Sequence, residues 1–368
     1  MTKAELDSIK ILPLEDSWYR RVKEKLDGIA KPLDGLGKFE HLIAQIGAIE
    51  KTTKISIQKK AVLVMCADNG VVEEQVSQSG KEVTLAVAKA MGVNNSSVGK
   101  MAAVAGVDVI PVDIGIDTDE VIPGVLPRKV AKGTKNFAKE PAMTEEEVLK
   151  AIETGIQLVQ QCHRDGYEIL ATGEMGIGNT TTSTAVAAAL LDLEVEQVTG
   201  KGAGLTDEAL KRKCRVIEEA IEKYSLRDAD AFTILKTVGG LDIAGLTGVF
   251  IGAAIEQIPV VIDGVISAVA ALLAETLCKG AVNYMIPSHK SRELAETAIM
   301  KKLHLDPVLD ADMALGEGTG AVMMMSLLDV ALGVYLQGAS FANFEIEQYK
   351  RYEAVSYTHL RAHETKAN

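Results

Sequence analysis

The run Ile169-Leu170-Ala171-Thr172, followed by Gly173-Glu174-Met175-Gly176-Ile177-Gly178-Asn179-Thr180-Thr181-Thr182 and then Ser183 to Leu191, decides how this chain is read. A short apolar run enters a glycine-rich turn, and a stretch with helical composition follows, which is the sequence form of strand, tight turn and helix. The same form recurs at Ala61 to Ala67 before Asp68-Asn69-Gly70 and at Val107 to Val112 before Asp113-Ile114-Gly115. It recurs again at Ala231 to Val238 before Gly239-Gly240-Leu241-Asp242, at Ile258 to Ile262 before Asp263-Gly264, and at Val282 to Ile286 before Pro287-Ser288-His289. These runs predict six strands. Their apolarity is continuous rather than alternating, so both sheet faces are expected to be covered, with the intervening helices as the crossovers of a mostly parallel sheet. The expected class is α/β, doubly wound.

Outside the alternating region, helical patterns span about Ser17 to Ile29 and Gly37 to Ile49, joined by Lys31-Pro32-Leu33-Asp34-Gly35-Leu36-Gly37, and a further one runs from about Thr319 to Gln337. These end segments predict a small helical domain built from residues 1–58 and 321–350, beside a sheet domain at 59–320. Residues 357–368 lack apolar periodicity and read as a foreign or disordered tail, so His359 and His363 are excluded from the chemistry.

Composition removes several function classes. The 368 residues are 47% apolar and 24% charged, enough for a sizeable core. Acidic side chains outnumber basic ones, 51 to 39, and no lysine- or arginine-rich run is present. With 4% aromatic residues and Trp18 the sole tryptophan, a nucleic-acid partner is not expected. Cys66, Cys162, Cys214 and Cys278 lie far apart without metal-ligand spacing, which points to a reduced, cytoplasmic protein with no metal centre. The N-terminal segment lacks the apolar core of a signal peptide. The apolar stretch Ile243 to Ala274 is broken by Glu256, Gln257, Pro259 and Asp263, so it reads as buried core and no membrane association is expected.

In a doubly wound sheet, ligands bind at the carboxyl ends of the strands, which selects Asp68, Asp113, Glu174, Asp242, Asp263 and His289. An acid at a strand-to-helix junction also serves as an N-cap, and Asp68 and Asp113 fit that role equally well. The turn at Gly176, Gly178, Asn179, Thr180 and Thr181 offers close backbone approach and a helix start to an anion, so it fits a phosphate. Gly200-Lys201-Gly202-Ala203-Gly204 supplies a second backbone concavity. On the helix from about Thr206 to Tyr224, Lys213, unlike its neighbours Lys211, Arg212 and Arg215, leans over the edge of the apolar stripe toward a cleft; as a bare pattern it is also a snorkelling lysine. Gly316-Glu317-Gly318-Thr319-Gly320 sets one carboxylate between glycines, suited to general-base work if desolvated, or to stabilising a helix N-terminus.

Several of these runs, in order along the chain, match one family. Lys31-Pro32-x-x-x-Leu36-Gly37, Val62 to Gly70, Gly173 to Thr181, Gly239-Gly240-Leu241-Asp242, Ile286-Pro287-Ser288-His289 and Leu315 to Gly320 resemble the nicotinate-nucleotide:dimethylbenzimidazole phosphoribosyltransferases, from about residue 15 to about residue 345. The resemblance implies a three-layer, Rossmann-like nucleotide-binding catalytic domain, a small helical domain, and a homodimer. It implies transfer of 5-phosphoribosyl from nicotinate mononucleotide to 5,6-dimethylbenzimidazole or a related base, giving α-ribazole 5'-phosphate and nicotinate, with no cofactor and no metal. By the match, Glu317 is the general base and Glu174 a second carboxylate that orients ribose or stabilises positive charge on it. Gly176, Gly178, Asn179, Thr180, Thr181, Gly202, Lys213, Asp263, Gly264, Ser288 and His289 are the nucleotide and phosphate contacts, Ser288 and His289 opening the next helix. Met65, Ser79, Val87 and Leu315 are the acceptor-pocket residues, Val87 standing where some relatives carry glutamine. Two other classes share the glycine turn: a nicotinamide-dependent oxidoreductase, which leaves the Gly-Glu-Gly loop unexplained, and a nucleotide-binding protein without turnover.

Overall fold

The computed structural model describes residues 1–202 and 204–351, so the expected tail at 357–368 lies outside the described residues. Helices α1 (Lys3–Ser8), α2 (Asp16–Asp27) and α3 (Lys38–Ile49) precede strand β1 (Lys60–Ala67). Helices α4 (Glu82–Gly92) and α5 (Ser97–Ala105) lead to β2 (Val107–Gly115), and a loop leads on to β3 (Leu126–Pro127). Helix α6 (Glu145–Arg164) returns the chain to β4 (Ile169–Met175). Five helices follow: α7 (Asn179–Leu191), α8 (Val195–Val198), α9 (Asp207–Lys223), α10 (Ala231–Val238) and α11 (Leu241–Glu256). Then come β5 (Val260–Ile262), α12 (Val265–Leu277), β6 (Met285–Pro287), α13 (Ala295–Leu303) and α14 (Thr319–Gln337).

The strands form one sheet in the order β3-β2-β1-β4-β5-β6, and every pairing is parallel. The winding direction reverses between β1 and β4, where Val64 of β1 stands opposite Pro111 on one side and Gly173 on the other. This is the doubly wound, Rossmann-type arrangement, whose ligand crevice opens outside the carboxyl ends of the two strands flanking the reversal. Parallel strands need covered faces, and β1 is buried along its whole length. Its alternate side chains separate two cores. Leu63 and Met65 pack with residues of α6, α7, α11 and α12, while Val62, Val64 and Cys66 pack with residues of α2, α3, α5 and α14. The helix α11 is buried on nearly all sides, and it packs against α6 through glycines: a Cβ at Gly252 would lie 2.9 Å from the Ile156 Cα.

Five of the six expected strands form, and one does not. Ala231 to Val238 is the helix α10, not a strand. Its preceding residue, Asp230, accepts hydrogen bonds from the Phe232 and Thr233 backbone N–H groups at 3.0 and 3.1 Å and so starts a helix in a short apolar run that periodicity alone leaves ambiguous. The sixth strand is instead Leu126–Pro127, two exposed residues at the sheet edge, where proline costs no ladder bond on its outer side. Helix α14 is long and apolar enough to cross a membrane by length and composition, with 56% of that window buried in the fold. Its apolarity is used against the sheet and α3.

Candidate active site

A cavity of about 320 Å³ opens at the carboxyl ends of β4 and β5, beside the reversal. Four segments build most of it, and Val87 of α4 and Gly202 complete the lining. The turn after β4 contributes Gly176 and Ile177, with Asn179 and Thr180 opening α7; β5 and α12 contribute Asp263 to Ser267; the segment after β6 contributes His289, Ser291 and Glu293; and the approach to α14 contributes Ala314 to Glu317.

Glu317 reaches the cavity because its loop is forced across β4. Gly316, Glu317 and Gly318 all adopt positive φ, at 78°, 61° and 89°, a conformation costly for the non-glycine member and held by its surroundings. A Cβ on Gly173 would lie 2.6 Å from the Glu317 carbonyl oxygen, so only glycine in β4 lets the loop pass so close. The Glu317 carboxylate accepts a hydrogen bond from the Val98 N–H at 3.0 Å, in the first turn of α5. Of the sequence alternatives for this residue, base or helix-terminus ligand, the structure shows the second, and the helix is α5 rather than the α14 that follows.

Glu174 is buried beside it. A Cβ on Gly316 would sit 3.0 Å from Glu174 Oε1, so the glycine makes room for this carboxyl. The Asn179 Nδ2 donates both to Glu174 and, at 3.0 Å, to Asp242 Oδ2. Burial pushes the Glu174 carboxyl up to about 8, against the Asn179 bond, and repulsion from Asp242, Asp263 and Glu317 adds to the rise. Burial likewise lifts Asp242 to about 6. Asp263 is also raised by burial, with His289 and backbone N–H groups opposing. Its oxygens accept from the Gly318 and Ala321 N–H groups at 3.2 and 3.0 Å, capping the start of α14.

The structure brings together at this cavity Glu174, Gly176, Asn179, Thr180, Gly202, Asp263, Gly264, His289, Glu317, Val87 and Leu315. Lys213 is fully buried rather than leaning over a core edge. It stands one step behind the lining, its Nζ donating to Thr180 Oγ1 at 2.9 Å and to the Gly200 carbonyl at 3.2 Å. Burial pulls its ammonium down to about 8, with Glu293 opposing. Gly178 is the N-cap residue of α7 at φ 94°, and Thr181 is fully buried in the first turn of that helix. The helix starts at Asn179, four residues before the expected Ser183, because Gly178 supplies the left-handed entry.

Ser288 is buried, bonding the Asp263 carbonyl at 3.1 Å and lying 3.0 Å from His289 Nδ1. The two residues do not open a helix; His289 forms a bridge with Leu309, and α13 begins only at Ala295. Met65 and Ser79 do not line the cavity. Met65 points into the core, where a Cβ on Gly245 would meet its Sδ at 3.3 Å. Ser79 is half-buried, its N–H donating to Ser77 Oγ at 3.3 Å. Asp68 and Asp113 hold the loop after β2, accepting from the Asp117 and Ile116 N–H groups at 2.8 and 2.9 Å. Sequence reasoning missed Met175, Ile177, Val265, Ile266, Ser267, Ser291, Glu293 and Ala314 in the lining. For Val265 to Ser267 a signal existed, since they directly follow the strand-end pair Asp263-Gly264.

Comparison with known proteins gives the same direction. A family model described as phosphoribosyltransferase matches residues 11–346. A nicotinate-nucleotide–dimethylbenzimidazole phosphoribosyltransferase of Acetivibrio thermocellus is 45% identical over 329 residues, covering 89% of this chain and 94% of its own. One of Clostridium acetobutylicum is 43% identical over 337 residues, covering 92% and 96%. Among solved structures, CobT from Thermus thermophilus superposes with a TM-score of 0.86 at 33% identity, covering 90% of this chain and all of its own. With both the matched length and the sheet order in agreement, the chain belongs to the nicotinate-nucleotide–dimethylbenzimidazole phosphoribosyltransferase family.

Proposed function

We propose that this protein transfers the 5-phosphoribosyl group of nicotinate mononucleotide to 5,6-dimethylbenzimidazole or a related base, giving α-ribazole 5'-phosphate and nicotinate. The observation that carries this reading is one cavity in which Glu317 and Glu174 meet, bordered by the glycine turn of α7 with Lys213 behind it. In the donor, the pyridinium nitrogen is already cationic. Its bond to the anomeric carbon breaks with both electrons going to the ring, so nicotinate leaves without protonation. One benzimidazole nitrogen supplies the new bond, and the other loses its proton to Glu317, the general base.

Glu174 suits the cationic partner. A carboxyl raised to about 8 is protonated in the free protein near neutral pH. A pyridinium bound beside it favours the ionised form, so the proton is released to solvent as the donor binds and the carboxylate stands as a counter-charge to the ring and to positive charge developing on the ribose. Gly176, Asn179, Thr180 and Gly202 border the nucleotide, Gly178 and Thr181 shape the turn behind them, and Lys213 supplies a point charge for the phosphate. Asp263, Gly264, Ser288 and His289 bound the same nucleotide. Val87 and Leu315, together with Ile177 and Ile266, supply the apolar wall against which a flat aromatic acceptor packs.

Two further readings go with it. Residues 1–58 and 321–350 form the small helical domain beside the catalytic domain at 59–320, and the protein works in the cytoplasm as a homodimer. What supports pairing is the apolar outer face of α5 and α14, where Val104, Met323 and Val330 are exposed. The deciding experiment is chromatography after mixing the protein with nicotinate mononucleotide and dimethylbenzimidazole, beside Glu317→Gln. Equal amounts of α-ribazole phosphate and nicotinate, lost in the variant, support the reading. Nicotinate release without ribazole moves the acceptor to water, and no release at all leaves a binding protein.

A further inference from the structure

Asp242 is fully buried in the first turn of α11, among Leu241, Ile243 and Ala244, and forms no ion pair among the described residues. It ends the run Gly239-Gly240-Leu241-Asp242, which the chemistry of Glu317 and Glu174 leaves without a task. A buried carboxyl with no cation beside it is costly to keep in a fold. Both of its oxygens are engaged. Oδ1 accepts from the Ile243 N–H at 3.0 Å, and Oδ2 accepts from Asn179 Nδ2 at 3.0 Å. The same Asn179 nitrogen donates to Glu174 Oε2, so the two hydrogens of one amide are committed to two carboxyls. Glu174 and Asn179 border the cavity, and Asp242 stands behind them, outside the lining.

Asn69 closes the far side of this group. Its Oδ1 is buried without a hydrogen-bond partner. A Cβ at Gly240 would overlap Asp242 Oδ1 and lie 2.7 Å from Asn69 Oδ1, while one at Gly176 would lie 2.9 Å from Asp242 Oδ2 and 3.1 Å from Asn69 Nδ2. Two glycines thus leave the space in which the Asp242 carboxyl lies beside the Asn69 amide. A donor placed on the Asp242 side would pair the orphaned Asn69 oxygen.

We propose that Asp242 is a positioning residue for the transfer: it holds the Asn179 amide from behind, and that amide fixes the Glu174 carboxyl against the reacting centre. This rests on the transferase reading above. Among the described residues, Asn179 is the only side chain that donates to Glu174, which ends β4 with its carboxyl in the cavity wall. Without Asp242 the amide keeps one acceptor of two and can turn about its side-chain bonds, carrying Glu174 with it. A displacement of about 1 Å at a reacting group costs on the order of a hundredfold in rate.

Steady-state kinetics of the full chain with nicotinate mononucleotide and dimethylbenzimidazole test this, with melting curves to confirm folding. Asp242→Ala is expected to lower kcat about tenfold or more while the donor KM moves less than about threefold, since Asp242 itself touches no substrate. Asp242→Asn has the same shape without the charge; it can accept from Asn179 and donate to the free Asn69 oxygen, and is expected to bring kcat back to within about threefold of wild type. In a Glu174→Gln background the alanine should cost nearly nothing further, because both changes act through one carboxyl. Asp242→Ser, whose shorter arm falls short of Asn179, replaces the alanine variant if that one does not fold. Wild-type kcat in the alanine or serine variant overturns the proposal. So does an asparagine variant as slow as alanine, and so do losses that multiply with Glu174→Gln, which mark a general structural role. A wild-type chain that makes no α-ribazole phosphate overturns the transferase reading and the proposal with it.

Discussion

The Glu317 carboxylate accepts the Val98 N–H at 3.0 Å across 219 positions of sequence. The side chain proposed to take a proton is thus anchored at the start of α5, and the anchor separates its two roles experimentally. Glu317→Gln keeps an oxygen for Val98 but cannot take a proton. Turnover should fall by about two orders of magnitude or more, with donor affinity retained. Glu317→Ala should lose the same activity and also about 1 kcal/mol of stability, as for a lost helix cap. Near-wild-type turnover in Glu317→Gln, measured by product chromatography, would remove the proposed base.

Buried acids fix the sign of the pH response. Glu174 is held at about 8 in the fold against 4.5 as its ordinary value, and Asp242, Glu50 and Glu296 are raised by burial as well. A group that binds its proton more tightly when folded contributes stability that is complete below its unfolded pKa and lost as pH rises through the folded one. Melting temperature should therefore decline between about pH 5 and about pH 8. Glu174→Gln should flatten that decline and melt above wild type at the alkaline end. A wild-type protein that gains stability across the same range would contradict the assignment.

Gly173 and Gly333 make a matched pair. A Cβ at Gly173 would strike the Glu317 carbonyl oxygen at 2.6 Å, whereas at Gly333, within α14, nothing lies within 4 Å. Gly173→Ala is expected to displace the Glu317 loop and cut turnover at least tenfold. Gly333→Ala should leave turnover alone and add about 0.5–1 kcal/mol, the helix preference of alanine over glycine. Denaturant titration and steady-state kinetics on both variants check this.

For Lys213, burial lowers the ammonium from 10.5 to about 8. The charge therefore destabilises the folded state at neutral pH, and the penalty is relieved as pH rises from about 8 toward 10.5. Lys213→Met should accordingly melt no lower than wild type at pH 7, while the donor KM rises ten- to a hundredfold through loss of a charged contact. An unchanged KM would confine Lys213 to bracing Thr180 and the Gly200 carbonyl.

What the sequence reveals follows the strength of each local signal. The strand at Ile169 and the helices at Asp207 and Thr319 are legible because apolar runs, glycines and N-caps agree there. Ala231 to Val238 misleads because eight apolar-rich residues suit either a strand or a buried helix, and the deciding contact is the Asp230 cap just upstream. Leu126–Pro127 carries no strand signal at all; its pairing with Val112 and Asp113 is imposed by the neighbouring strand. In the site, acids and glycines at strand ends are visible in one dimension. Ser267 is not, since only the fold shows that it borders the cavity with a buried hydroxyl.

The Gly316–Gly318 loop lies beyond every described strand in the chain. All six described strands end by Pro287, so the cavity's floor, from β4 and β5, comes from sequence that precedes Glu317. The late segment lays its three left-handed residues over Gly173 and bonds both Val98 and Asp263. The segment that completes the cavity also carries the helix that covers one face of the sheet, so a chain shortened before Glu317 would lose part of its core together with that carboxylate.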